Sequence, residues 1–365
     1  EMQIADRSYI ITNKEYFKIC QQQLKYQDEH DFTYILEPEG RNTASAIAVA
    51  SLALQKIESE KDPIILILPC DHIFFNPEQL YNAINKALPA VSEDNKIAVF
   101  GIKPHEANVG YGYIEYDKKD TRGLYSIKKF IEKPPLAQAE KLYISGRHYW
   151  NAGIFLFKAS CMLKELGQYV PKTLELAKIT IANSATKGQV LELDKDYFIK
   201  LPNQSIDHAV MEKTNNIVAS SIDSKWSDLG SWSAVKDTFT TTKQENYTKG
   251  NIYTQDSSNC LLYNTQGFTA ALGVKDIIAV QTKDALLLAN KSYSEKIKDL
   301  VSTLKSQKQD ELVDHCTVMK RPWGTFETLL HLPGFRVKHI IVYPEGKLSL
   351  QMHMKRSEHW VITKG

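Results

Sequence analysis

The stretch IILILPCDHIF, residues 64–74, opens with five consecutive apolar side chains and then sets Asp71 and His72 among more of them. An unbroken apolar run of this length suits a parallel strand covered on both faces better than the alternating pattern of a half-exposed one. Pro69 ends it. In open parallel sheets ligands collect just beyond the carboxyl ends of the strands, so Asp71 stands where a functional carboxylate is expected. A turn or helix cap would account for Asp71 equally well.

Upstream, FTYI (32–35) reads as a short strand, followed by the turn EPEGRN and a helix over about 43–60 that Asn42 or Thr43 can cap. Downstream, Asn76 before Pro77 has the order of a helix start, with Leu80, Ile84 and Leu88 as its apolar stripe. KIAVFGI (96–102) is another buried strand. Alternating strands and helices predict an α/β domain with a largely parallel sheet. After about residue 245 the texture changes: CLLY, TAALGV, IIAV and ALLL are separated by Gly, Asn, Asp and Lys, too closely for helices between them. This predicts a small all-β unit, coiled as a β-helix. A helix over 293–307 follows, and GFRVKHIIVYPEGKLSLQMH resumes β-like alternation.

The chain of 365 residues is long enough for two to three domains. Its 45 basic and 43 acidic residues leave a net charge of +2, with no long run of one sign, which disfavours a nucleic-acid partner. Cys20, Cys70, Cys161, Cys260 and Cys316 lie far apart without a CxxC pair, so no zinc site or disulfide framework is signalled and a cytoplasmic location fits. No apolar run approaches the roughly 20 residues that span a membrane. Serine nucleophile elbows, HExxH and GxGxxG are absent from the sequence.

Five further stretches combine polar groups with tight turns. In EPEGRNTASAI (37–47) Arg41, Asn42 and Thr43 reach a helix start, whose free backbone N–H groups favour an anion or a base edge, although capping also explains Asn42 and Thr43. In NVGYGYIE (108–115), Gly110 and Gly112 around Tyr111 let backbone approach a ligand or mark a bulge. In FIEKPP (130–135), Glu132 can accept from sugar hydroxyls and Lys133 can meet a phosphate, or the two are a solvated surface pair. YWNAGIFLF (149–157) presents the Asn151 amide at a strand edge. KWSDLGSW (225–232) holds Asp228 between two tryptophans beside Gly230, as for a carboxylate in a shaped pocket. Asp71 and Asp228 could together hold a magnesium ion, which takes a few carboxylates, phosphate oxygens and water.

The ordered motifs EPxGRNTAxAI, LPxDH, GYGYI, FxEKP, NAGIF, SIDxAVMEK and WSDLGSW resemble those of the mannose-1-phosphate guanylyltransferases, in particular the bifunctional type with a C-terminal mannose-6-phosphate isomerase domain. The resemblance implies a Rossmann-like nucleotidyltransferase domain with a mixed sheet over 1–244, a β-helix-like domain over 245–312 and the start of a cupin over 313–365. It implies GTP and mannose 1-phosphate as substrates, GDP-mannose and diphosphate as products, and Mg2+ or another divalent cation as cofactor; a homodimer is compatible with it. Carried onto this sequence, Asp71 and Asp228 match the metal-binding aspartates. Glu132, Lys133, Asn151 and the Gly110–Tyr111–Gly112 turn match the sugar-phosphate site. Arg41, Asn42 and Thr43 match the segment near the nucleotide. Asp207 and Lys213 of SIDHAVMEK are expected to orient that shell, or simply to cap and face a helix.

Two departures stand out. The family's glycine-rich GGxGxRLWP loop, expected to wrap the triphosphate, lies upstream of the residues present. In QMHMKRSEHW (351–360), Lys355 follows His353 where a cupin wants a second histidine, and a protonated lysine is a poor ligand, so isomerase activity is not expected of this chain. The residues also suit a sugar-1-phosphate nucleotidyltransferase for another base, or a non-catalytic sugar-phosphate-binding chain.

Overall fold

The computed structural model describes residues 5–24, 32–57, 61–242, 244–309, 318–321, 323–348 and 350–365. It divides into two compact units, Glu1–Thr282 with Leu286–Asp299, and Lys283–Ala285 with Leu300–Gly365.

The first unit begins with β1 (Ser8–Asn13), α1 (Phe17–Leu24), β2 (Phe32–Glu37) and α2 (Asn42–Ile57), and β1 pairs with β2 in parallel. FTYI lies in β2, and α2 turns Ala44, Ile47, Ala48 and Leu54 inward. Next come β3 (Ile64–Ile67), β4 (Ile73–Phe74), α3 (Pro77–Ser92), β5 (Ile97–Ile102), β6 (Tyr113–Lys119), β7 (Tyr125–Ile131), α4 (Leu136–Ser145), β8 (His148–Lys158), α5 (Ala159–Tyr169) and α6 (Pro171–Asn183). α3 starts at Pro77 as expected, but Leu88 is exposed and Ala83, Ala87, Ala90 and Val91 complete its buried face. β9 (Ala185–Lys187) and β10 (Val190–Glu192) form a hairpin whose second strand joins β2 in parallel. α7 (Lys195–Phe198), a π-helical turn over Asp207–Met211, β11 (Ile217–Ile222), β12 (Trp226–Ser227) and α8 (Trp232–Phe239) follow.

The larger sheet has the order β3-β8-β5-β11-β7-β6. β5 and β11 run parallel, but β8 runs antiparallel between β3 and β5. The sheet is therefore mixed, which corrects the largely parallel sheet read from the alternation of elements. That alternation reports order along the chain, whereas β8 arrives late and inserts between two earlier strands. β5 meets the expectation of burial on both faces: Ile97 and Val99 join the core containing α2 and α5, while Ala98, Phe100 and Ile102 join the one containing α3. β3 meets it only in part. Among the described residues it pairs only with β8, and Ile64 and Leu68 are 39% and 48% exposed. Ile65 and Ile67 pack on the first core and Leu66 on the second, so both faces are covered only in the middle of the run.

β13 (Tyr247–Lys249), β15 (Leu261–Asn264) and β17 (Ile277–Gln281) stack in parallel, as do β14 (Ile252–Gln255) and β16 (Thr269–Leu272). β18 (Leu286–Asn290) closes the first stack antiparallel. Two parallel stacks wound by one chain make the β-helix-like unit that the close spacing of apolar runs predicted. Gly250, at φ +116°, is needed for the winding, since a Cβ there would lie 2.1 Å from the Asn264 carbonyl oxygen. A 3-10 turn over Lys291–Lys296 and α9 (Ile297–Ser306) occupy the expected helical segment. In the second unit β19 (Val318–Arg321), β20 (Gly324–Leu332) and β21 (Phe335–Val342) form an antiparallel meander. The expected boundary at 312–313 lies outside the described residues.

Candidate active site

β4 and β12 pair antiparallel, with Trp226 opposite Phe74 and Ser227 opposite Ile73. Continuing that register by one residue sets Asp228 opposite His72, with Asp71 next along. A short ladder between segments about 150 residues apart thus brings the two aspartates to one end. Nε2 of His72 lies 4.0 Å from Oδ1 of Asp71. Its Nδ1 accepts the Trp226 indole N–H at 3.3 Å. An indole only donates, so the ring proton of His72 sits on Nε2, facing Asp71. Burial holds the imidazole below its usual proton affinity, although Asp71 and Asp228 both pull it upward.

Asp228 is held from two sides: its Oδ1 accepts the Tyr111 hydroxyl at 3.1 Å and the Gly230 N–H at 3.0 Å. A Cβ at position 230 would stand 2.7 Å from Oδ2, which explains the glycine. Tyr111 packs against Trp150 and Trp226, with ring centroids 4.9 and 5.0 Å away. Sequence reasoning grouped Tyr111 with the sugar-phosphate residues; here its hydroxyl bonds to Asp228. His72 and Trp226 were not singled out as site residues, and their pairing is the sort of long-range contact that carries no local signal.

A second cluster gathers on the next residues. A Cβ on Gly112 would lie 2.5 Å from Oε2 of Glu132, so the glycine makes room for that carboxylate. Neither Gly110 nor Gly112 has a positive φ. The Gly110 N–H donates to Oδ1 of Asn108 within the turn. Nζ of Lys133 lies 3.4 Å from Oε1 of Glu132; the lysine side chain is 63% exposed and the glutamate 11%. The Glu132 N–H donates to Oε1 of Glu212, whose Oε2 meets Nδ1 of His208 at 3.0 Å. Nδ2 of Asn151 donates to Oδ1 of Asp207 at 3.0 Å. Burial, and then the charge of Glu132, push the Asp207 carboxyl up to about 6. Asp207 opens the π-helical turn, a feature that often re-aims a side chain at a functional site. Asp207 thus bonds to Asn151 of the shell it is expected to orient, and Glu212, next to Lys213, accepts the Glu132 N–H.

The nucleotide-side segment is bonded closely to its own chain. Asn42 has φ +63° and its side chain accepts the Thr43 N–H at 2.8 Å. The Ala44 N–H donates to the Gln204 carbonyl, and Thr43 Oγ1 accepts the Ile206 N–H. The Thr43 and Ala44 N–H groups are thus bonded within the chain, in line with the capping alternative for Asn42 and Thr43. Arg41 pairs with Glu39. Beside them Glu37, at the carboxyl end of β2, has a buried Oε1 with no hydrogen-bond partner among the described residues, and burial pushes its carboxyl up to about 7. Asn42, Lys133 and Leu229 all have positive φ, so backbone strain collects in three of the candidate loops.

Asp71 and Asp228 offer oxygen donors, and Oδ1 of Asp228 is already held while no hydrogen bond occupies its Oδ2 among the described residues. Two carboxylates with outer positions left to phosphate and water suit a hard divalent cation. No group of three or more His, Cys, Asp and Glu side chains is placed to hold a metal among the described residues.

The mixed α/β sheet, with Asp71 and Asp228 near one short ladder and Glu132, Lys133 and Asn151 gathered about Gly112, has the fold class of a nucleotidyltransferase. The nucleotidyl transferase family model matches residues 2–245, a mannose-phosphate isomerase/GMP-like β-helix model residues 250–304, and a mannose-6-phosphate isomerase C-terminal model residues 307–365. The chain is 39% identical to mannose-1-phosphate guanylyltransferase 2 of Escherichia coli O157:H7 over 99% of its own length and 76% of that protein's. It is 36% identical to alginate biosynthesis protein AlgA of Pseudomonas aeruginosa, over 98% of this chain and 74% of that one. A crystal structure of a Thermus thermophilus protein described as a mannose-1-phosphate geranyltransferase superposes with a TM-score of 0.69 at 25% identity, covering 81% of this chain and 84% of that one. The chain belongs to the nucleotidyl transferase family and, within it, to the mannose-1-phosphate guanylyltransferases. Enzymes of this family generally use a divalent metal. No helix among the described residues is long and apolar enough to cross a membrane.

Proposed function

We propose that the protein transfers the guanylyl group of GTP to α-D-mannose 1-phosphate, forming GDP-mannose and diphosphate for polysaccharide biosynthesis. Asp71 and Asp228, both near enough to His72 at the end of the β4–β12 ladder to act on its charge, carry this conclusion. A phosphate oxygen of the sugar phosphate attacks the α-phosphorus of GTP; the new P–O bond forms as the bond to the β,γ-diphosphate breaks. Such transfers need positioning and charge neutralisation more than covalent help from the protein. Mg2+ or another divalent cation held by Asp71 and Asp228 would supply the neutralisation. Glu132 accepts from sugar hydroxyls, Lys133 meets the sugar phosphate, and Asn151 offers its amide. Arg41, Asn42 and Thr43, with Gly110 and Gly112, frame the substrates.

Asp71→Asn tests this. It keeps the shape and removes the charge, so the variant should fold while metal-dependent GDP-mannose formation is lost. The Asp71→Asn/Asp228→Asn double variant should cost little more than either single one, because groups that act as a unit are not additive. Near-wild-type turnover in Asp71→Asn would remove the metal role. Comparing GTP with dTTP and UTP as substrates separates a guanylyltransferase from a relative that uses another base.

A further inference from the structure

Building on the proposed role of Asp228 as an ion ligand, we propose that Tyr111 is a positioning residue for the divalent cation, fixing Oδ1 of Asp228 so that Oδ2 is the oxygen presented to the ion. The hydroxyl lies 3.1 Å from Oδ1, and the Gly230 N–H reaches the same oxygen at 3.0 Å. Two donors on one oxygen leave the other as the better ligand and hold the carboxylate plane. Outer-shell partners of this kind orient a ligand before the ion arrives.

Two further observations agree. The Tyr111 ring stands against Trp150 and Trp226, with centroids 4.9 and 5.0 Å away, so the phenol has little freedom to swing toward a sugar. At Gly230 there is no Cβ to press on Oδ2, the oxygen left without a hydrogen bond among the described residues. The next residue, Gly112, lies against Glu132. One turn therefore ties the ion ligand to the sugar pocket, with Tyr111 serving the former and Gly112 the latter.

The test uses the whole chain and Mn2+ as the probe, read by the paramagnetic resonance of free ion during titration. Tyr111→Phe keeps the ring between the two indoles and removes only the hydroxyl. Its Mn2+ affinity should fall about 10- to 100-fold, the range found for outer-shell partners. The thermal midpoint without ion should stay unchanged, and KM for mannose 1-phosphate at saturating Mn2+ should stay at the wild-type value. A merely structural role would move the midpoint and leave ion affinity alone. Asp228→Asn separates the inference from the function on which it rests. If Asp228→Asn loses Mn2+ while Tyr111→Phe binds it like wild type, the positioning role is refuted and the ion site survives. If Asp228→Asn binds Mn2+ like wild type, the ion site itself is wrong. A raised KM for mannose 1-phosphate with unchanged Mn2+ affinity in Tyr111→Phe would return the tyrosine to substrate binding and overturn the proposal.

Discussion

Asn151 donates its side-chain amide to Asp207 at 3.0 Å, and Asp207 lies 56 residues away at the first position of a π-helical turn. The other end of the same amide accepts the Gly153 N–H at 3.2 Å. Asn151 is thereby held in one orientation.

Asp207→Asn should loosen that hold. An amide is a weaker acceptor than a carboxylate, and losing one charge-assisted hydrogen bond costs about 1–3 kcal/mol. We expect KM for mannose 1-phosphate to rise roughly tenfold, within that range, while KM for GTP stays unchanged. Steady-state kinetics with each substrate varied in turn check this, and equal changes in both would remove Asp207 from the sugar side.

Glu37→Gln addresses pH. The folded carboxyl is raised to about 7 by burial, above its value in the unfolded chain. The folded state therefore binds the extra proton, and stability falls as pH rises from the unfolded value through about 7. The shift corresponds to on the order of 3 kcal/mol, present in full at acid pH and lost above about pH 7. Thermal melts from pH 5 to 8 should show a declining midpoint in the wild type and a flatter profile in Glu37→Gln. A profile identical in both proteins would show that Glu37 is not the titrating group.

Lys133→Met should weaken mannose 1-phosphate and spare GTP. The side chain is 63% exposed, so solvent screens much of its charge. The expected loss is about 1 kcal/mol, roughly a fivefold rise in KM, rather than the several kcal/mol of a desolvated pair. Equal weakening of both substrates would move the lysine away from the sugar phosphate.

The chain should not interconvert mannose 6-phosphate and fructose 6-phosphate with any added divalent ion. Lys355 presents an ammonium where an imidazole is wanted, and Nε2 of His353 already lies 2.9 Å from both Oε1 of Glu358 and Nη2 of Arg356. A coupled isomerase assay checks this, with Lys355→His run beside the wild type. Activity in the unaltered chain would show that the lysine is tolerated.

The sequence by itself determined the segments and their chemistry. Apolar runs and turn residues located β2, α2, α3, β5 and the stacked strands of the β-helix, because burial periodicity and backbone preference act over a few residues. Motif order located Asp71, Glu132, Lys133, Asn151 and Asp228. Only the tertiary structure decided which of these meet. The insertion of β8 between β3 and β5, the engagement of the Ala44 N–H by Gln204, and the pairing of β4 with β12 next to Asp71 and Asp228 all join residues far apart in the chain. The Tyr111 hydroxyl could equally have met a sugar or a carboxylate, and its partner lies 117 residues downstream. Local preference limits what a segment can be, but the free energy that selects its neighbour arises from burial and hydrogen bonds shared with the rest of the fold.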